Sequence, residues 1–198
     1  MGVTERKLRQ QEEMRKQIID CSREIVHEEG WAALSIRKIA DAIEYSVPVI
    51  YKYFENKEAI SAYFVAEGFD LLYAQITAGI STEDSIEERF QQLGLGYYLF
   101  AEQHPKHYEI MFGLGIPTCE TAKNIKSVGL LSDLFRHMID ELIQKSGRKD
   151  IDACIKYRSL WAMLHGVVAL ELLSLTGSDK VCNSLILADS MRSFTKGI

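Results

Sequence analysis

The sequence predicts an all-α protein. Apolar residues recur at helical spacing in segment after segment, and no stretch sustains the apolar/polar alternation of a strand. No Asn-Gly or Asp-Gly pair marks a hairpin turn. Only three prolines (Pro48, Pro105 and Pro117) interrupt 198 residues, which leaves room for long helices. A hydrophobic content of 47% is enough for one or two helical domains with a core.

The first predicted helix runs from around Met14, or earlier, to Glu29. Its buried stripe is Ile18, Cys21 and Ile25, with Ile19 and Val26 beside them. Ser35 then stands before Ile36, Ile39, Ala40 and Ile43, where its hydroxyl can cap the free N–H groups of a second helix. Glu44-Tyr45-Ser46 breaks that pattern. A third, short helix follows from about Val47 to Phe54. Pro48 falls in its first turn, where a missing N–H costs nothing. Val47, Ile50 and Phe54 point inward on this reading, which leaves Pro48, Val49, Tyr51, Lys52 and Tyr53 outward or flanking. Two short helices joined by a tight turn, one presenting Tyr and Lys, are what a helix-turn-helix DNA reader requires. Asn56 is the expected N-cap of a fourth helix, with Glu58 in its favourable first turn. Ile60, Phe64 and Leu71-Leu72 extend its apolar face beyond what a small head can bury. It is therefore expected to connect a head (residues 1–57) to a second domain (residues 58–198).

The second half parses into further helices. Thr82-Glu83-Asp84 is expected to open one through Ile86, Phe90, Leu93, Tyr97 and Phe100, ended by His104-Pro105. A short helix covers Tyr108 to Phe112 and is closed by Gly113, Gly115 and Pro117. A long one carries Leu130-Leu131, Leu134-Phe135, Met138-Ile139 and Leu142-Ile143, ending at Gly147. Asp150 is expected to open a helix that reaches Leu175, stopped by Gly177. The last helix spans Asp179 to Phe194. Gly94 and Gly96 lie inside a helix pattern and form no phosphate loop.

Net charge is −5, but its distribution says more than its sum. Residues 1–57 hold ten Lys/Arg and ten Asp/Glu; the remaining 13 basic and 18 acidic residues account for the whole deficit. Arg6, Lys7, Arg9, Arg15 and Lys16 cluster at one end of the head, so a neutral head can still meet phosphate. The four cysteines (Cys21, Cys119, Cys154 and Cys182) show no C-x-x-C pair and no zinc spacing. With no apolar leader in MGVTERKLRQQ, they read as reduced thiols of a cytoplasmic protein. The longest apolar run, Leu160 to Leu175, is broken by His165 and Glu171 and is too short to span a membrane. No metal, cofactor or catalytic constellation is legible. Glu87-Glu88 and Asp140-Glu141 are adjacent acids on solvated faces, so the reading is non-enzymatic.

Residues Ile25 to Ile60 resemble the DNA-binding head of TetR-type transcriptional regulators. Gly30 follows the long first helix, Ile39-Ala40 sits mid-helix and Ser46 precedes the reading helix. Tyr51-Lys52-Tyr53-Phe54 is similar to that family's Y-x-x-F signature, and Asn56-Lys57-Glu58 to its x-K-E opening. The departure is in the turn: Glu44 and Tyr45 stand where the family has a small residue followed by Val. A non-Gly residue in a left-handed turn is strained by about 1 kcal/mol. Behind the head, Trp161-Ala162-Met163-Leu164-His165-Gly166 resembles the W-x-x-x-H-G segment of a ligand-binding domain. Pro105 to Gly113 is similar to the P-x-x-Y-x-x-M-F turn of that same domain.

The resemblance implies a homodimeric, ligand-responsive regulator, most simply a repressor, on a palindromic double-stranded DNA operator. An activator, an effector-independent regulator, and a small-molecule-binding protein with an idle head are the alternatives. The expected DNA-facing set is Ser35, Arg37, Val47, Pro48, Val49, Tyr51, Lys52, Tyr53 and Lys57. Tyr51 donates to a phosphate oxygen, and Lys57 joins a cation to free helix N–H groups. Arg37 is placed for a guanine edge and Lys38 for phosphate or water. The expected effector is apolar or aromatic, in a cavity walled by Tyr97, Phe100, Phe112, Trp161 and His165. The last two helices are the expected dimer surface, because they carry more apolar residues than one protomer needs.

Overall fold

A computed structural model describes residues 3–113, 125–172 and 180–198. Among them every regular element is helical, as expected. The head consists of α1 (Val3–Glu29), a one-turn 3₁₀ helix (Trp31–Ala33), α2 (Ile36–Ala42) and α3 (Val47–Ile50). The long α4 (Lys57–Gly79) follows, then α5 (Ile86–Gln103), α6 (Pro105–Phe112), α7 (Lys126–Ser146), α8 (Ala153–Leu172) and α9 (Lys180–Lys196).

The head's core is built from the stripes seen in the sequence. Ile18, Ile19, Ile25 and Val26 are buried, and so are Leu34, Ile39, Ala40, Ile50 and Phe54. Cys21 is the exception. It lies at the rim of the stripe, half exposed, in an open groove beside Ala42 and Ile43. Ser35 caps α2 by accepting from the Lys38 N–H at 3.2 Å, and Asn56 caps α4 by accepting from the Ala59 N–H at 2.8 Å. Each satisfies one of the orphan donors of a helix start.

The turn between α2 and α3 closes as a Schellman motif. The Tyr45 N–H donates to the Ala40 carbonyl at 2.9 Å and the Glu44 N–H to the Asp41 carbonyl at 3.3 Å. That geometry requires the left-handed region at its penultimate residue. Glu44 occupies it with φ 58°, alone in this among the described non-glycine residues. The reading helix is shorter than expected. After Ile50 the chain tightens into turns, with the Lys52 N–H reaching the Val49 carbonyl and the Tyr53 N–H the Ile50 carbonyl.

Two helix starts differ from expectation. Ser85, rather than Thr82-Glu83-Asp84, opens α5, through a reciprocal capping box with Glu88. Asp152, rather than Asp150, accepts from the Cys154 and Ile155 N–H groups at the start of α8, while Asp150 pairs with Arg148. The short helix begins at Pro105, one turn before Tyr108. The expected stops at Gly115, Pro117 and Gly177, the start at Asp179, and the thiol of Cys119 lie outside the described residues. So does the side chain of Cys182.

α5 forms the centre of the second half, packed against α4 on one side and α9 on another. Phe90, Leu93, Tyr97 and Phe100 on it are fully buried. Burying one such side chain is worth about 1.5–3 kcal/mol. Gly96 allows α4 to approach closely, since a Cβ there would lie 2.8 Å from the Ile76 Cα. No described helix is long and apolar enough to cross a membrane.

Candidate nucleic-acid interface and aromatic cluster

The head presents Tyr51 (53% exposed), Lys52, Pro48, Arg37 and Ser35 to solvent on and beside α3. Val47, Val49, Tyr53 and Lys57 are half-buried. Arg37 is loosely held, its Nε 4.0 Å from Asp41, and its side chain is 87% exposed. Among the described residues Lys52 has no ion-pair partner, and it is exposed. A loosely held guanidinium, an exposed ammonium and an exposed phenol around one short helix suit contact with a phosphate backbone and groove. Arg15 of α1 joins them. It donates to the Tyr53 carbonyl at 3.3 Å and lies 4.4 Å over the Phe54 ring, which keeps a cation beside α3.

Two of the lysines placed near DNA by sequence also have internal partners. Lys38 pairs with Glu29 at the end of α1. The Lys57 Nζ donates to the Trp31 carbonyl at 3.1 Å. Lys57 therefore ties the start of α4 to the 3₁₀ turn, a structural duty beside any contact with phosphate.

In the second half, Tyr97, Phe112, Trp161 and His165 converge from α5, α6 and α8. His165 is half-buried at their centre. Trp161 stacks on it at 5.3 Å, Phe112 meets it edge-on at 4.5 Å, and Tyr97 lies 5.7 Å away. Tyr97 and Trp161 also touch, T-shaped at 5.9 Å. Phe100 is fully buried but its ring neighbour is His104, not this group. The sequence reading missed Tyr108 as a member. The hydroxyls of Tyr97 and Tyr108 lie 2.9 Å and 2.8 Å from the His165 Nδ1. An Nδ1 that accepts from a tyrosine hydroxyl fits the neutral tautomer with its proton on Nε2. Burial pushes the His165 imidazolium below its ordinary pKa and holds the Tyr97 phenol well above its own. The cluster is thus neutral, aromatic and polar at a single point.

A second network was invisible in the sequence. Arg23 of α1 donates to both carboxylate oxygens of Glu67 on α4, at 2.8 Å and 2.9 Å. His107 of α6 reaches the same carboxylate at 2.7 Å. Burial opposes the ionisation of Glu67, but its bonds to Arg23 and His107 outweigh that and hold the carboxyl below its usual range. The Trp31 Nε1 adds a bond from the head to the Lys106 carbonyl at 2.8 Å. No periodicity pairs residues 44 or 75 positions apart, so only the fold reveals these contacts. Among the described residues, no group of three or more His, Cys, Asp or Glu is placed to hold a metal.

Comparison with known proteins fits this geometry. Residues 18–63 match the family described as bacterial regulatory proteins, tetR family, and residues 90–180 match the tetracyclin repressor-like C-terminal domain. No curated protein matches. Among solved structures, a protein with unknown function from Rhodococcus sp. RHA1 is 20% identical with a TM-score of 0.75, covering 93% of this chain and 94% of that one. The fatty acid degradation regulator FadR from Bacillus halodurans is 19% identical with a TM-score of 0.70, covering 93% and 95%. A bacterial regulatory protein in the tetR family from Rhodococcus RHA1 is 15% identical with a TM-score of 0.68, covering 92% and 95%. At such identities the likeness shows the fold alone. The two family matches carry the assignment: the chain belongs to the TetR family of bacterial transcriptional regulators.

Proposed function

We propose that this protein is a cytoplasmic, homodimeric repressor that leaves a palindromic operator when a mostly apolar effector binds its second domain. The head is residues 1–57, and residues 58–198 form an effector-binding and dimerisation domain of the W-x-x-x-H-G type. The observation that supports ligand response is the double engagement of α6. Tyr108 and Phe112 sit in the cluster around His165, while Lys106 and His107 hold Trp31 and Glu67. A ligand that displaces Tyr108 or Phe112 moves the helix on which the head's contacts rest. Its differential affinity for the two arrangements sets how far the equilibrium shifts.

Arg37, Tyr51 and Lys52 carry the direct DNA contacts, with Ser35, Val47, Pro48, Val49, Tyr53 and Lys57 around them. A single four-residue helix reads too few bases alone, so two heads address a two-fold operator. The test is footprinting of the purified protein on the DNA upstream of its own gene. Two protected half-sites related by a two-fold axis are expected, with weaker binding to shuffled competitor DNA. Equal affinity for both DNAs overturns the reading.

A further inference from the structure

The geometry points to a second small-molecule site, in the cleft between α7 and α8, that binds a singly charged organic carboxylate with a flat apolar body. The cleft has a volume of about 290 Å³. α7 contributes Arg136, Ile139 and Asp140; α8 contributes Ala153, Cys154, Tyr157 and Arg158. None of these residues is among those around His165 or in the DNA-facing set, though Tyr157 meets Trp161 edge-on at 6.4 Å.

The floor and one wall are apolar and fixed. Ile139 is fully buried. Tyr157 is half-buried, and its hydroxyl donates to the Ser132 Oγ at 3.1 Å, which locks the ring in place. The Arg136 guanidinium lies 5.2 Å over that ring. This contact holds the cation at the cleft without neutralising it. Arg158 lines the same cleft and is exposed. Neither arginine has a carboxylate partner among the described residues, whereas Arg23, Arg89, Arg148 and Arg192 each pair with one. One guanidinium over the Tyr157 ring and a second in the same cleft match a planar carboxylate joined to a planar body.

Asp140 narrows the ligand class. Two arginines against one carboxylate leave a net charge of about +1 in the cleft. A monoanion completes that balance. A dianion such as phosphate meets the Asp140 carboxylate and finds no use for the apolar floor. The volume sits at the lower end of ligand pockets, which suits one or two fused rings rather than a nucleotide or long acyl chain.

Cys154 lines the cleft and is exposed, so it reports occupancy. The full-length protein is treated with iodoacetamide, and modification of each cysteine is followed by peptide mass spectrometry. The Cys21 thiol, in the distant head, is the internal reference. Millimolar 2-naphthoate is expected to slow alkylation of Cys154 at least threefold and leave Cys21 unchanged. 2-Naphthalenemethanol, of the same shape without the charge, and inorganic phosphate are expected to give no protection. Arg158→Gln and Arg136→Gln, each compared with its own ligand-free rate, are expected to abolish the effect. Both arginines are exposed, and circular dichroism checks that the variants fold. The proposal is overturned by equal protection from the alcohol or phosphate, by protection that survives in either arginine variant, or by no protection at all. The readout needs no DNA, so its failure leaves the operator-binding reading untouched.

Discussion

His107 and Tyr108 are adjacent in sequence, yet their side chains serve different ends of the molecule. The His107 Nε2 lies 2.7 Å from the Glu67 carboxylate, which also receives Arg23 from the head. The Tyr108 hydroxyl lies 2.8 Å from the His165 Nδ1 inside the aromatic cluster. One turn of α6 therefore touches both the candidate effector site and the joint with the head.

Breaking that joint has a measurable signature. Glu67→Gln keeps the shape but removes the charge that Arg23 and His107 share. We expect a loss of about 1–2 kcal/mol, since charge-assisted bonds are worth more than neutral ones but Arg23 is partly exposed. The pH dependence fixes the cause. Glu67 has a depressed pKa in the folded state. Its stabilisation is present above the ordinary glutamate range and is lost as pH falls through the folded value. Urea titrations at stepped acidic pH should show the variant's deficit shrinking as acid increases. A constant deficit contradicts the assignment.

His165 gives a second pH step. Burial lowers its pKa, so the unfolded chain takes up a proton before the folded one does. Stability is full above the ordinary histidine range and falls as pH drops from that range toward the depressed folded value. His165→Phe should flatten this step, and Tyr108→Phe should cost about 1 kcal/mol by removing one donor to Nδ1. Denaturation midpoints across the histidine range decide it. A step that persists in His165→Phe belongs to another group.

The sequence made the head legible almost residue by residue because its signals are local. The Ser35 and Asn56 caps, the inward Ile50 and Phe54 and the exposed Tyr51 all follow from neighbours a few positions away. The same reasoning misplaced the starts of α5 and α8, where several capping residues stand close together: Thr82, Asp84 and Ser85 in one case, Asp150 and Asp152 in the other. It gathered Tyr97, Phe100, Phe112, Trp161 and His165 from the aromatic supply of three helices expected to converge and from a resemblance; the rings of four of them meet, while Phe100 packs on His104. The Arg23–Glu67–His107 network was out of reach, because three helices far apart in sequence supply it. Lys57 illustrates the limit most sharply: a cation at a helix start reads as a phosphate clamp, and only the fold shows the Trp31 carbonyl it already serves.

The turn offers a stabilising change. Glu44 sits at φ 58°, where a side chain costs about 1 kcal/mol relative to glycine. Glu44→Gly keeps both Schellman hydrogen bonds and should raise the melting temperature by about 2–4 °C. It also removes an acid beside the DNA-reading helix, so operator affinity should rise, most visibly at low salt. A lower melting temperature by calorimetry contradicts the strain argument.

Contacts with phosphate separate from structural duties by salt dependence. Tyr51 is exposed and Lys52 unpaired, so Tyr51→Phe and Lys52→Ala should leave stability within about 0.5 kcal/mol of wild type. Both should weaken binding on specific and random DNA alike, and Lys52→Ala should reduce the salt slope by about one unit. Lys57→Ala differs: it should also destabilise the fold by about 1 kcal/mol through its lost bond to Trp31. Unchanged DNA titrations for both Tyr51→Phe and Lys52→Ala would remove α3 from the interface.

The dimer surface can now be tested without confusing dissociation with unfolding. On α8, the exposed residues Ile155, Ser159, Ala162, Gly166 and Leu170 recur every three or four positions and form one stripe. Ile155 is 63% and Leu170 62% exposed. Leu185 and Ile186 on α9 continue the apolar surface, with Leu185 63% exposed. Apolar side chains left in water on one stripe suit a partner helix, and a two-fold pairing of α8 and α9 into a four-helix bundle would cover them. Leu185 makes no part of the protomer's own core, so Leu185→Glu should leave helicity unchanged by circular dichroism. Sedimentation should show a monomer at micromolar concentration, where the wild type is expected to sediment as a dimer. Operator affinity should fall by at least a hundredfold, because a lone head loses the two-site advantage. Gly166→Leu provides the second arm. A Cβ at Gly166 meets nothing within 4 Å in the protomer. The larger side chain therefore harms only a surface on which another helix lies close. Normal helicity with weakened self-association in both variants places the interface on this stripe, and dimers that survive both substitutions move it elsewhere.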